Sequence, residues 1–168
     1  VEKANVKPKS TPVMKWIKSM KKYLTKTLFL VVCAFSVVSH AAEHTVKMLN
    51  SGKNGSMVFE PAVLKVSVGD TVKFEATDGG HNSASIPGLI PAGAKAWQGN
   101  LNQDIAVKFD KEGVYVYQCT PHVVLAMVGV VVVGDATNLE EIKQSSAQLQ
   151  KSFVMNQDRL GTYLATLK

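Results

Sequence analysis

The sequence predicts an all-β domain, a sandwich of seven or eight short antiparallel strands, followed by two C-terminal helices. Three observations lead there. Residues 44–134 fall into short β-like runs, turn-forming residues separate those runs, and the hydrophobic period changes at Asp135.

The runs are HTVKMLN (44–50), SMVFEP (56–61), VLKVSV (63–68), DTVKFEA (70–76), HNSAS (81–85), DIAVKF (104–109), GVYVYQC (113–119) and MVGVVVV (127–133). Several alternate apolar with polar, as Val72 and Phe74 against Lys73 and Glu75, which gives a strand one buried and one wet face. Ser51-Gly52, Asn54-Gly55, Gly69-Asp70, Asp78-Gly79-Gly80, Glu112-Gly113 and Gly134-Asp135 supply the turns. Residues 86–100 form the longest stretch between strands and are expected to be a loop with at most a short helical turn. Beyond Asp135, Asn138 can cap a helix that carries Glu140 and Glu141 in its first turn and Leu139, Ile142, Ala147 and Leu149 on one side. Gln157 to Lys168 reads as a second helix, with Leu160, Tyr163, Leu164 and Leu167 inward.

The formal charge of +6 invites a nucleic-acid or membrane reading until the charge is located. Residues 1–41 hold eight Lys and one acid, Glu2, so residues 42–168 carry eleven basic and twelve acidic side chains. The basicity belongs to a leader. Met20-Lys21-Lys22, the apolar run Leu28 to Val38, and Ser39-His40-Ala41 have the layout of a secretory signal, with translation expected from Met20 and cleavage after Ala41. The apolar run falls short of the roughly 20 residues that span a bilayer. The expected domain is therefore residues 42–168, with a helical extension over 138–168, and a monomer free of membrane and nucleic acid. Removal of Cys33 with the leader leaves Cys119 as the lone cysteine. In an oxidising compartment such a thiol needs burial or a ligand.

Cys119, His122 and Met127 lie within nine residues, in a loop between neighbouring strands, and His81 follows a Gly-Gly turn. Each has an ordinary alternative: Met127 as strand core, His81 as a turn residue, Cys119 as a buried thiol. Together they present a thiolate, two imidazoles and a thioether. Zinc gains little from a thioether, whereas two His, one Cys and a weak axial Met is the blue-copper set. Pro121 stiffens the loop and withholds an amide proton. No open coordination position or general base stands beside the set, so no catalytic residue is expected.

The stretches MLN (48–50), GSMVFEP (55–61), VGDTVKFEATDGGHN (68–82), IPAGAKAW (90–97), GVYVYQCTPH (113–122) and MVGVVVVGDATNLE (127–140) resemble the pseudoazurin family over essentially all of residues 44–168. The resemblance implies a cupredoxin-like eight-stranded Greek-key sandwich with paired C-terminal helices. It implies one type 1 copper on His81, Cys119, His122 and Met127, with the Asn82 amide donating to the cysteine sulfur and Met57 and Phe59 near the site. It further implies a periplasmic one-electron carrier, with a copper nitrite reductase or another terminal reductase and c-type cytochromes as partners, and the edge of His122 as the electron exit within a patch of Val123, Val124 and Leu125.

Two departures stand out. Val123-Val124-Leu125-Ala126 replaces the family's aromatic residue, Gly, Met and Gly. Where the family rings the site with lysines, this chain has Gly79, Pro87 and Gln118, while Lys53 and Lys95 remain. Two further readings stand beside this one. A copper-binding or delivery protein without a redox partner would use the same ligands, although no exposed Met- or His-rich cluster is present. Cleavage after Ala41 would also leave Ala42-Glu43-His44, which could offer Cu(II) a square-planar site, unless His44 simply opens the first strand.

Overall fold

The structure is a computed structural model that describes residues 41–167, with Pro12 and Trp16 alone before them. The expected leader, its start at Met20 and the residues up to the cleavage site lie outside the described residues.

Eight strands form in the predicted order: β1 (Glu43–Gly52), β2 (Gly55–Glu60), β3 (Val63–Val66), β4 (Thr71–Glu75), β5 (Ala84–Ser85), β6 (Ile105–Lys108), β7 (Gly113–Gln118) and β8 (Val128–Val133). They make two four-stranded sheets, in the orders β2-β1-β4-β6 and β3-β8-β7-β5. The expectation of a wholly antiparallel sandwich needs correction. β1 runs parallel to β4 and β3 parallel to β8, because in each pair the chain leaves the sheet and returns to it before pairing. Helices α1 (Leu139–Gln150) and α2 (Arg159–Ala165) follow.

The two sheets bury their strands differently. In the first, Val46, Met48, Val72 and Phe74 point inward and the alternate residues meet water. In the second, β8 is buried throughout, and β7 up to Tyr117. Its alternation survives, with both faces covered. Tyr115, Tyr117, Met127, Val131 and Val133 join the core between the sheets. Val114, Val116, Val128, Val130 and Val132 pack with Leu139, Ile142, Phe153, Leu160 and Leu164 of the helical extension. The unbroken valine run is thus the imprint of helices lying on the outer face.

Two details of the first helix depart from expectation. Ser146, not Ala147, takes the inward position. Asn138 precedes the helix but makes no side-chain cap; instead its Oδ1 accepts from the Val114 amide at 2.7 Å and its Nδ2 donates to the Val114 carbonyl at 3.1 Å, tying helix to β7.

At the same end of the sandwich, where Val66 and Gly113 both pair with Val133, Asp70 gathers the start of β1. Its carboxylate accepts from the amides of Ala42 (2.8 Å) and Ser67 (2.9 Å) and from His44 Nε2 (2.9 Å). His44 is therefore the second residue of β1, one place later than the expected first, and the backbone of Glu43 and His44 pairs with Thr71 and Val72. A square-planar copper site on Ala42-Glu43-His44 would have to pull these residues out of the ladder. The His44 hydrogen bond, followed by the two amides, holds the Asp70 carboxyl down at about 2, against an ordinary 3.8. A carboxylate with a depressed pKa stabilises the fold above its unfolded value, and that contribution disappears as pH falls through the folded value. Asp70→Asn is expected to lower the denaturation midpoint at neutral pH and to flatten its fall between about pH 4 and pH 2, measured by denaturant melts across that range. An acid limb identical to the parent's would contradict this role.

Candidate metal centre

The segment between β7 and β8, residues 119–127, turns back within nine residues. Cys119 directly follows the strand, Thr120–Leu125 forms a 3₁₀ turn with Pro121 in its opening positions, and Ala126 adopts a left-handed conformation before Met127 leads into β8. Backbone hydrogen bonds cinch it. The Cys119 amide donates to the Met127 carbonyl (2.9 Å), the His122 amide to the Cys119 carbonyl (3.1 Å), and the Met127 amide to the His122 carbonyl (3.2 Å). The Cys and Met positions are thereby held side by side on the inward face, where both are fully buried in the same apolar cluster.

His81 arrives from the loop before β5, after Gly80, whose φ of +92° favours glycine. Its imidazole is fully buried, and its Nε2 donates to Asn50 Oδ1 at 3.0 Å. That bond puts the ring proton on Nε2 and leaves the lone pair of Nδ1 facing the loop. Asn82 binds the two segments together. Its Oδ1 accepts from the Thr120 amide (2.8 Å), while its Nδ2 donates to the Gly99 carbonyl (3.0 Å) and to Thr120 Oγ1 (3.2 Å).

The outcome is a triangle of donor atoms. His81 Nδ1 and His122 Nδ1 lie 3.2 Å apart, and Cys119 Sγ lies 3.6 Å from the first and 3.4 Å from the second. A point equidistant from all three is about 2 Å from each, close to the roughly 2.0–2.3 Å that a first-row metal keeps to imidazole and thiolate. The donor set therefore fits a metal ion in size and chemistry. Among the described residues these three are the group of His, Cys or acidic side chains gathered closely enough to hold one.

The electrostatics agree. Burial pushes the Cys119 thiol up, partly offset by the backbone N–H groups of Asn82 and His122 that reach the sulfur, the amide of Asn82 being the donor expected. Burial first, and then the neighbouring His122, push His81 down, with Asp78 opposing. Neither takes up its charge readily alone, so a cation beside them is what favours a Cys119 thiolate next to a neutral His81.

All four predicted residues occupy this end of the sandwich. Phe59 is fully buried in the same cluster, edge-on to Tyr117 at 4.7 Å, and Met57 packs against that cluster. The expected apolar patch is narrower than three residues. Val124 is exposed, whereas Val123 leans on the helix-side core and Leu125 is half-buried. Sequence reasoning missed the role of Asn50 in holding His81, because nothing local to this polar residue near the end of β1 signals a partner 31 positions away.

A sequence profile described as "Copper binding proteins, plastocyanin/azurin family" matches residues 46–134. The chain is 44% identical to a pseudoazurin of Methylorubrum extorquens over 139 residues, covering 82% of this chain and 90% of that one. A pseudoazurin of Paracoccus pantotrophus is 40% identical over 111 residues, 66% of this chain and 77% of that one. Among solved structures, pseudoazurin from Methylobacterium extorquens superposes with a TM-score of 0.66 at 45% identity, covering 75% of this chain and 99% of that one. Native pseudoazurin from Hyphomicrobium denitrificans gives 0.68 at 37% identity, with 75% and 98% covered. The chain belongs to the pseudoazurins, within the copper-binding plastocyanin/azurin family.

Proposed function

We propose that His81, Cys119, His122 and Met127 hold the copper of this electron carrier, and that the domain 42–168 works in the periplasm after loss of its leader. The copper cofactor and one-electron carriage without catalysis follow from family membership. The observation that carries the ligand assignment is the triangle of Cys119 Sγ and two Nδ1 atoms with sides of 3.2 to 3.6 Å.

When bound, copper supplies the Cu(II)/Cu(I) couple, and the protein governs what surrounds it. Asn50 fixes the His81 ring, and Asn82 fixes the loop against β5. A donor set already constrained by the fold reorganises little when the charge changes. Met127, buried beside Cys119, offers a thioether that suits the reduced ion. His122 is the partly exposed ligand, so its edge is the route by which an electron leaves, with Val124 beside it as contact surface.

The partners we propose are a terminal reductase such as a copper nitrite reductase and, as donors, c-type cytochromes. Docking here has little charge to use. Gly79, Pro87 and Gln118 stand where the family carries lysines, and the Lys53 ammonium lies 3.8 Å from Glu60, which offsets its charge. Long-range steering scales with such charge.

Copper-loaded protein is expected to show an intense band near ~600 nm that Cys119→Ser abolishes. A colourless parent that takes zinc as readily as copper would overturn the electron-carrier reading. Stopped-flow reduction by an acidic partner is expected to slow only modestly, by less than about tenfold, between low and physiological ionic strength. A steep decline would mean that lysines elsewhere do the steering.

A further inference from the structure

Arg159, the first residue of α2, is buried to 9% exposure, yet no carboxylate pairs with it among the described residues. Four backbone carbonyls hold its guanidinium instead. Nη1 donates to Met57 O (2.9 Å) and Ala126 O (3.0 Å), and Nη2 donates to Ser56 O (3.1 Å) and Asn54 O (3.3 Å).

The two residues served by Nη1 share a rare property. Met57 has φ of 51° and Ala126 φ of 59°, the left-handed region that side chains with a Cβ avoid. Such conformations persist only where surrounding contacts over-determine them, and they gather at functional sites. A buried cation is also a poor device for stability alone, since apolar replacements often serve as well. Arginine, with five donors in a rigid fork, is the side chain able to hold four carbonyls of two segments at once.

One of those segments runs directly into the metal centre. The peptide unit joining Ala126 to Met127 is held at both ends: its carbonyl by Arg159 at 3.0 Å, and its N–H by the His122 carbonyl at 3.2 Å. The plane of that peptide sets the direction in which the Met127 side chain departs. Met57, held by the same nitrogen, packs against the cluster that contains Cys119 and Met127.

We propose that Arg159 is a positioning residue of the copper site. From the helical extension it clamps the left-handed residues Met57 and Ala126 and so fixes Met127 relative to Cys119 and the two histidines. The inference rests on the ligand assignment above. It gives the C-terminal helices a part in the electronics of the centre as well as in covering the outer sheet.

The test compares Arg159→Gln and Arg159→Lys with Leu160→Ala. Leu160 is fully buried in the helix-side core, so its truncation weakens the same helix without touching the clamp. Melting temperature, Cu(II) EPR spectrum, reduction potential and copper affinity are measured for each, together with the Met127 amide resonance of the copper-free protein. All three variants are expected to melt earlier. The arginine variants alone should shift the EPR spectrum, the potential and the Met127 resonance, and Arg159→Gln should lose about tenfold or more in copper affinity, with lysine recovering part. Should Arg159→Gln fail to fold, the same readouts are taken from Arg159→Lys combined with Ala126→Gly, in which the left-handed conformation costs little. Spectra and potential unchanged in the arginine variants, or moved equally by Leu160→Ala, would overturn the clamp. A parent that lacks the blue band would instead sink the ligand assignment.

Discussion

Three polar donor atoms, two imidazole nitrogens and a thiol sulfur, sit within 3.6 Å of one another at the buried end of this sandwich. Isolated side chains would not gather so closely in an apolar setting, where each loses hydration and none gains a neutralising partner. The fold supplies the missing restraint through backbone. Cys119, His122 and Met127 are joined by three amide–carbonyl bonds inside one short loop, and Asn50 and Asn82 bring His81 to it from the neighbouring segments. Much of the surrounding structure can be understood as the framework that keeps this convergence in place.

The two sheets contribute unequally to that framework. The sheet carrying β7 and β8 supplies Cys119 and Met127, and it is covered on both faces, by the other sheet within and by α1 and α2 outside. Strands so enclosed have little freedom to shift, so the loop between them inherits their rigidity. Asn138 and Arg159 extend the restraint by stitching the helices to β7 and to the loop itself. Of the four candidate ligands only His122 is partly open at the surface, with Val124 exposed in the same loop. A buried sulfur donor with one imidazole edge near solvent suits a centre that exchanges electrons and keeps water out.

Much of this was legible in the chain. Alternation and turn residues located all eight strands, and the change of period at Asp135 announced the helices. The spacing of Cys119, His122 and Met127 pointed to their convergence because a loop closing two adjacent strands brings its own ends together. What escaped notice depended on tertiary neighbours. Ser146 turns inward in place of Ala147 because helix phase follows packing rather than composition. Asn138 looked like a cap and instead grips Val114, a choice available only once β7 lies alongside. The parallel pairs could not be read from strands whose patterns are the same for either direction. Asn50 and Arg159 act across 31 and 33 positions, so no local pattern reveals them.

X-ray absorption at the copper edge of the loaded protein bears most directly on the central claim, that this triangle is the copper site. One copper per chain is expected, with one sulfur and two imidazole nitrogens at about 2.0 to 2.3 Å, the short sulfur shell vanishing in Cys119→Ser. A shell of nitrogen and oxygen alone would contradict it and place the copper elsewhere on the chain.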